Sequence, residues 1–528
     1  MENTQINTYL GQKGYTIPKN ELSIEKQKQL RNDLTIKPFV MGSPMNNNQT
    51  TFPAYRESSN KFYVPHYYGV ENFGPPKEYK ISEGLNIDLE FAGKLRENQE
   101  VVVNTYINHV HKVNFGGGLL ELPCAYGKTV LSLNIISRLK KKTFIIVHKE
   151  FLMNQWIERI QQFLPKARVG KIQGPIIDID DKDIVIGMLQ SLSMKEYPAS
   201  IFESFGLTII DEVHHISSEV FSNSLFKLVT KYMLGLSATM NRKDGTTSVF
   251  KMFLGNVIFK GKRDEEREVT VRAIEYYVDD AEFNEVKLDY RGNVAYSTMI
   301  SKLCEYNRRS EFILKVLSDM LQENPLQQIM VLAHNKNILK YLHDAIAHRN
   351  IATVGYYVGG MKEHALKETE GKKIVIATYA MAAEALDIKT LTTLIMATPK
   401  TDIEQSVGRI LREKHSSPVV VDIVDSHDSF KNQWRKRKTF YKKENYKIIY
   451  TTSTYYNPDT TGWSIVFNPN GPKKCNQTNK INKKNISVKS NSSTDKSITN
   501  DSDSEDENED TGPKDKYLSG KCLLQFKK

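Results

Sequence analysis

Leu119-Leu-Glu-Leu-Pro-Cys-Ala-Tyr-Gly-Lys-Thr-Val-Leu131 is the stretch whose reading decides the fold. A short apolar run breaks at Pro123, and Gly127-Lys128-Thr129 follows just before a pattern with helical spacing, so the segment reads as strand, loop and helix start. A loop of this kind cradles phosphates. Backbone N–H groups and the helix N-terminus face the anion, a lysine reaches the β/γ-phosphates, and the adjacent hydroxyl holds Mg2+. Pro123, Cys124, Ala125, Tyr126, Gly127, Lys128 and Thr129 are the expected nucleotide contacts, with Thr129 also on the ion. Leu122 stands where the G-x-x-x-x-G-K-[ST] pattern has its first glycine, so the loop alone is a partial match.

Working outward, strand-like runs at 119–122, 144–147, 184–188, 207–210 and 232–237 alternate with helical stretches. Short apolar runs separated by helices predict a parallel sheet covered on both faces. A second set follows at 329–333, 352–357, 374–377, 393–396 and 419–424. The fold class expected is therefore α/β, with two such units in tandem over 91–262 and 305–465. Residues 263–304 read as a connector with one alternating strand, and 116–118 as a glycine turn. Residues 1–90 read as an irregular accessory segment whose aromatic knot, 61–69, packs against the neighbouring domain. From 466 to 528 the chain is Asn, Ser, Lys and acid with few apolar residues, a composition that cannot offset its ordering entropy and reads as disordered.

The strand 207–210 ends in Asp211-Glu-Val-His-His215, and strand ends are where α/β folds place ligands. After a phosphate loop, Asp211 suits the metal ion and Glu212 the attacking water, as phosphoryl transfer requires. In the second unit, Glu404-Gln-Ser-Val-Gly-Arg-Ile-Leu-Arg412 sets Arg409 and Arg412 three apart. That spacing puts both on one helical face, where two guanidiniums can reach one phosphate chain across a cleft. Residues 434–443 pack six basic side chains around three aromatics, which suits either a phosphate backbone with stacked bases or a helix packed on the core.

The chain has 528 residues and a net charge of +11; without the seven acidic residues of 501–510 the remainder carries +18. A basic body favours a polyanionic partner, nucleic acid before membrane. The four cysteines show no metal or disulfide spacing, and no apolar run approaches the ~18 residues that cross a bilayer. A soluble protein of a reducing compartment is expected.

Together these segments resemble the DExH-type helicases and translocases of superfamily 2 over roughly residues 90 to 450, which implies two RecA-like domains, ATP and Mg2+. Leu95-Arg-Glu-Asn-Gln99 is similar to the adenine-reading segment, implying Gln99 and Arg96 on the base. Asp211-Glu-Val-His214 is similar to motif II, and His214 would then couple hydrolysis to domain movement. Gln405, Arg409 and Arg412 fall on the motif that closes over the nucleotide, and Asp387, in a stretch like motif V, would lie near the ribose. The resemblance also implies DNA or RNA contacts at Lys149, Gln155, Gln190 and Thr378. The Pro-Cys-x-x-Gly-Lys-Thr loop resembles a variant in the transcription/repair factor helicase and the poxviral transcript-release helicase. With the Lys, Asn and Ile richness of the chain, this points to a large DNA virus, to the host cytoplasm or virion, and to transcription machinery as a partner of the N-terminal segment or tail.

Overall fold

The structure is a computed structural model, and it describes residues 6–38, 51–112, 115–123, 126–215, 218–240, 244–262, 268–384, 388–411 and 418–471. Cys124, Ala125, Asp387 and Arg412, together with the tail from 472, lie outside the described residues.

Two eight-stranded sheets dominate. The first runs Ile176–Ile177, Val169–Gln173, Ile184–Met188, Thr143–Val147, Leu207–Ile210, Tyr232–Ser237, Gly116–Glu121, Val257–Lys260 across its width, parallel except for the first pair. Its central strands bury every residue, as Thr143-Phe-Ile-Ile-Val147 does, because helices cover both faces. Hence the runs are continuous rather than alternating. Helices Glu97–Lys112, Lys128–Leu139 and Glu150–Phe163 supply one apolar layer of this lobe.

The glycines expected to form a turn instead lie inside the Gly116–Glu121 strand. A Cβ on Gly118 would fall 1.8 Å from Ile258 Cδ1, and one on Gly117 would fall 2.8 Å from the Leu254 carbonyl. Neighbours approach too closely there for a side chain, which is why glycines occupy these two otherwise unfavourable strand positions.

The second sheet runs Val354–Tyr357, Ile374–Thr378, Gln328–Ala333, Leu391–Met396, Val419–Asp425, Thr270–Tyr276, Lys447–Thr452, Ser464–Phe467. The stretch expected to connect the lobes is therefore part of the second one. Thr270–Tyr276 pairs in parallel on both sides, with Val419–Asp425 and Lys447–Thr452, and helix Tyr296–Glu305 buries Met299, Ile300 and Leu303 in the same core. Alternation at 269–278 was readable, but an internal position depends on two strands more than 140 residues downstream.

Residues 9–79 also depart from expectation: in place of an irregular segment they form a five-stranded sheet with its own core of Leu10, Tyr15, Ile17, Phe62 and Val64. Strands of two to five residues, split by long connections, leave too little periodicity to read. The knot packs as foreseen. Phe62 and Val64 are fully buried, and Tyr67 reaches the first lobe, its hydroxyl lying 3.0 Å from where a Gly117 Cβ would be. Tyr79 stacks on Phe115 at 4.3 Å.

The basic run at 434–443 belongs to helix Asp428–Lys443, which turns Phe430, Gln433, Trp434, Arg437 and Tyr441 inward. The packed reading holds for Trp434 and Tyr441, so these rings are not available to stack on bases. Arg437 forms a bidentate pair with Asp422 at 2.8 and 2.9 Å, and Tyr441 adds a third hydrogen bond at 3.0 Å. Arg309 and Asp425 form a second such pair, at 2.6 and 2.8 Å, with both side chains 0% exposed.

Removing one partner from such a pair strands a buried charge. Arg309→Leu is expected to destabilise the second lobe by about 3–5 kcal/mol, while Arg309→Leu with Asp425→Leu recovers most of that loss. Urea unfolding measures it, and a single-variant cost below about 1 kcal/mol would contradict the pairing.

Candidate functional site

Polar groups collect where the buried strands end. In the first lobe the loop after Gly116–Glu121 leads to Gly127, which takes a left-handed conformation (φ 90°, ψ 39°) and starts helix Lys128–Leu139. The N-cap residue, Gly127, has no side chain with which to cap that N-terminus, and the first-turn N–H groups and the helix dipole point at the loop. Leu122 N–H donates to the Ser237 carbonyl at 2.8 Å, tying the loop to the end of the Tyr232–Ser237 strand.

Gln99, 5% exposed, lies beneath the loop. Its amide nitrogen donates to the Tyr126 carbonyl at 2.8 Å and its oxygen accepts from Arg96 N–H at 2.9 Å. The Arg96 guanidinium donates to the same carbonyl at 2.7 Å. Both residues named from sequence thus grip the phosphate loop directly.

Strand Leu207–Ile210 delivers Asp211 and Glu212 opposite the loop. Glu212 adopts φ 47°, a left-handed conformation that a residue with a Cβ occupies at a cost of about 1–3 kcal/mol. Its carboxylate meets Lys128 Nζ at 2.6 Å, with the two side chains 13% and 22% exposed. Asp211 is buried and accepts from Trp156 Nε1 and from Glu212 N–H, each at 2.9 Å. Burial, followed by the charge of Glu212, pushes the Asp211 carboxyl above its ordinary range, while Lys128 and the two hydrogen bonds act against that rise.

His214 lies between the lobes. Its Nδ1 is 2.7 Å from Ser237 Oγ and 3.4 Å from Glu212 Oε2, and its Nε2 is 3.0 Å from the amide nitrogen of Gln405 in the second lobe. An Nδ1–H tautomer satisfies the set: the Gln405 amide donates to Nε2 and the ring donates to Ser237 Oγ, which in turn donates to the Thr239 carbonyl. Gln405 and Arg409 are one turn apart on helix Glu404–Arg409 and so share a face. That helix ends at Arg409, so the expected helical pairing of Arg409 with Arg412 falls beyond the described residues.

The remaining expected contacts occupy strand ends at the same edges. Lys149 precedes helix Glu150–Phe163, which carries Gln155, and the Gln190 amide donates to the His148 carbonyl at 2.8 Å. In the second lobe Thr378 closes the Ile374–Thr378 strand. Sequence reasoning assigned no role to Trp156, whereas Ser237 closes a strand in Ser237-Ala-Thr239, small polar residues of a kind that can link a nucleotide site to a moving partner. The bond from Trp156 to Asp211 spans 55 positions and leaves no local signal.

The donor set fits an anion with a dication: a helix start whose N-cap is a glycine, a lysine, a hydroxyl at Thr129, and a buried carboxylate whose ionised form a cation would favour. The loop is also tight, since a Cβ on Gly127 would lie 2.5 Å from Gln99 Nε2.

Residues 92–242 match the family model described as "Type III restriction enzyme, res subunit". The chain is 35% identical over 459 residues, 84% of its length and 86% of the other, to the "Putative ATP-dependent RNA helicase L396" of Acanthamoeba polyphaga mimivirus. An African swine fever virus protein with the same descriptor is 26% identical over 392 residues, 69% of this chain and 76% of that one. S. cerevisiae Dbp5, solved bound to RNA and ADP BeF3, superposes with a TM-score of 0.50 over 68% of this chain and 90% of that one, at 12% identity. This last likeness is one of fold.

Gly127→Ala places a Cβ in both a left-handed conformation and an occupied space. It is expected to cost about 1–2 kcal/mol or more in thermal or urea unfolding; an unchanged midpoint would show that the loop relaxes freely.

Proposed function

The chain belongs to superfamily 2 of the helicases, in the group represented among large DNA viruses, and on that basis we propose that it hydrolyses ATP to unwind or move along nucleic acid. One observation carries the reading furthest: His214, two residues from the Glu212 carboxylate, hydrogen-bonds Gln405 of the other lobe. A nucleotide site whose acid cluster is wired to a second domain can convert hydrolysis into domain movement.

Lys128 and Glu212 hold each other in the structure, at 2.6 Å. Entry of a triphosphate draws the lysine to the β/γ-phosphates, and Glu212 is thereby released to accept a proton from the attacking water. Asp211 and Thr129 would hold Mg2+, which would supply charge neutralisation for the phosphates. Arg409 faces the lobe boundary one turn after Gln405, placed to stabilise charge developing on the transferred phosphoryl group, and Arg412 is the second guanidinium of that role. Gln99 and Arg96 read the adenine. Because both also hold the Tyr126 carbonyl, base recognition and the phosphate grip are linked. Pro123, Cys124, Ala125 and Tyr126 complete the loop, and Asp387 meets the ribose.

Lys149, Gln190 and Thr378, at or just after strand ends, and Gln155 on helix Glu150–Phe163 would contact the phosphate backbone. Backbone contacts of this kind read little base identity, so they serve DNA or RNA. The descriptors of the two viral relatives put RNA first among substrates to test. The Pro-Cys-x-x-Gly-Lys-Thr loop, of the type seen in the poxviral transcript-release helicase, supports a place in viral transcription, in the host cytoplasm or virion, with transcription machinery as a partner. Among the described residues no helix is long and apolar enough to cross a membrane.

Lys128→Ala is expected to lower nucleic-acid-stimulated ATPase activity at least 100-fold with an unchanged unfolding midpoint; unaltered stimulated turnover would sink the assignment. Gln405→Ala is expected to keep nucleotide binding while losing most of the stimulation by RNA or DNA. Matched single- and double-stranded oligonucleotides at stated salt provide the comparison.

A further inference from the structure

Helix Glu150–Phe163 has two faces, and the expected contacts at Lys149 and Gln155 explain neither. Its inner face buries Leu152, Met153, Trp156 and Ile160 in the core of the first lobe. Trp156 is 1% exposed, and a buried indole N–H needs an acceptor. The acceptor is Oδ2 of Asp211, at 2.9 Å. Since the Glu212 N–H takes Oδ1 at 2.9 Å, two donors on different elements set the plane of this carboxylate.

The other face meets the second lobe. Phe151 packs against the cores of both lobes, Asn154 donates to Glu363 at 3.1 Å, and Glu158 accepts from Lys367 at 2.8 Å. Positions 151, 154 and 158 form one stripe on the helix, and both acceptor and donor across the boundary belong to helix Glu363–Glu370. The ion pair is more than half exposed at each end, so it contributes little stability. What it specifies is the register between the two helices.

We propose that Trp156 is a positioning residue for the Asp211 carboxylate, and that helix Glu150–Phe163 transmits contact with the second lobe to that carboxylate. The inference rests on the reading of Asp211 as the ion-holding residue. A carboxylate oriented by fixed donors binds an ion without further ordering, and groups of this kind govern affinity although they never touch the metal. When the lobes part, the 151/154/158 stripe loses its partners while Trp156 remains bonded to Asp211. Any shift of the helix then passes directly to the carboxylate plane. The device lies outside the nucleotide cleft and acts alongside the His214–Gln405 contact.

The test measures Mn2+ binding to the full chain by electron paramagnetic resonance, with a non-hydrolysable ATP analogue present, together with the Mg2+ dependence of ATPase activity. Trp156→Phe keeps the ring and removes the donor. It is expected to raise the Mn2+ dissociation constant about tenfold, with kcat recovering at excess Mg2+. Glu158→Lys and Lys367→Glu each weaken Mn2+ binding by a smaller factor, and the two together restore it. Unchanged Mn2+ affinity in Trp156→Phe, or a kcat that excess Mg2+ does not recover, overturns the proposal. Should Trp156→Phe fail to fold, the exposed charge reversals decide, and unchanged Mn2+ affinity in both overturns the coupling. Absence of Mn2+–nucleotide binding in the wild-type chain would instead overturn the ATP-site reading on which the proposal rests.

Discussion

Parallel strands buried on both faces are the constraint from which the rest follows. Their interiors admit almost no unpaired polar group, so chemistry can appear only where the strands end and the chain turns toward a helix. Lys128, Asp211, Glu212, Ser237 and Thr378 all sit at such ends or in the turns beyond them. The exceptions support the rule. Asp422 lies inside the Val419–Asp425 strand and Asp425 at its end, and each is fully buried with an arginine bonded in bidentate fashion.

Among the described residues, two of the connections that cross between the lobes reach the acid cluster. His214 reaches Gln405, and helix Glu150–Phe163, bonded through Trp156 to Asp211, reaches helix Glu363–Glu370. Neither contact is strong by itself. Hydrogen bonds and half-exposed ion pairs of this size are worth about 1 kcal/mol each, which suits a boundary that must open and close in every cycle. The strained backbone at Glu212 belongs to the same economy of small terms, since it aims one carboxylate at Lys128 at modest cost.

The small N-terminal sheet docks on the first lobe through apolar and aromatic contacts, Tyr79 on Phe115 and Arg56 over Phe226 at 5.2 Å among them. It lies on the glycine strand that leads into the phosphate loop, with Tyr67 beside Gly117 and Gly255. A shift of this accessory domain therefore bears on the strand that positions Lys128.

What the residues determined unaided were those features with a short-range signature. Continuous β-branched runs marked most strands of both sheets, Gly127-Lys128-Thr129 marked the loop, and the Asp-Glu pair after 210 and the Arg409/Arg412 spacing marked the other segments of the candidate site, although Arg412 lies outside the described residues. Periodicity and local turn chemistry encode these within about ten residues, so no partner is needed to read them. Tertiary structure alone decided the remainder: that 270–276 is an internal strand, that 116–118 is strand rather than turn, that 9–79 folds into a sheet, and that Trp156 holds Asp211. Each depends on a partner between 55 and about 180 residues away, or on strands too short to show a period. A local pattern carries no trace of such distant contacts, because chain connectivity does not determine which surfaces meet until the layers have packed.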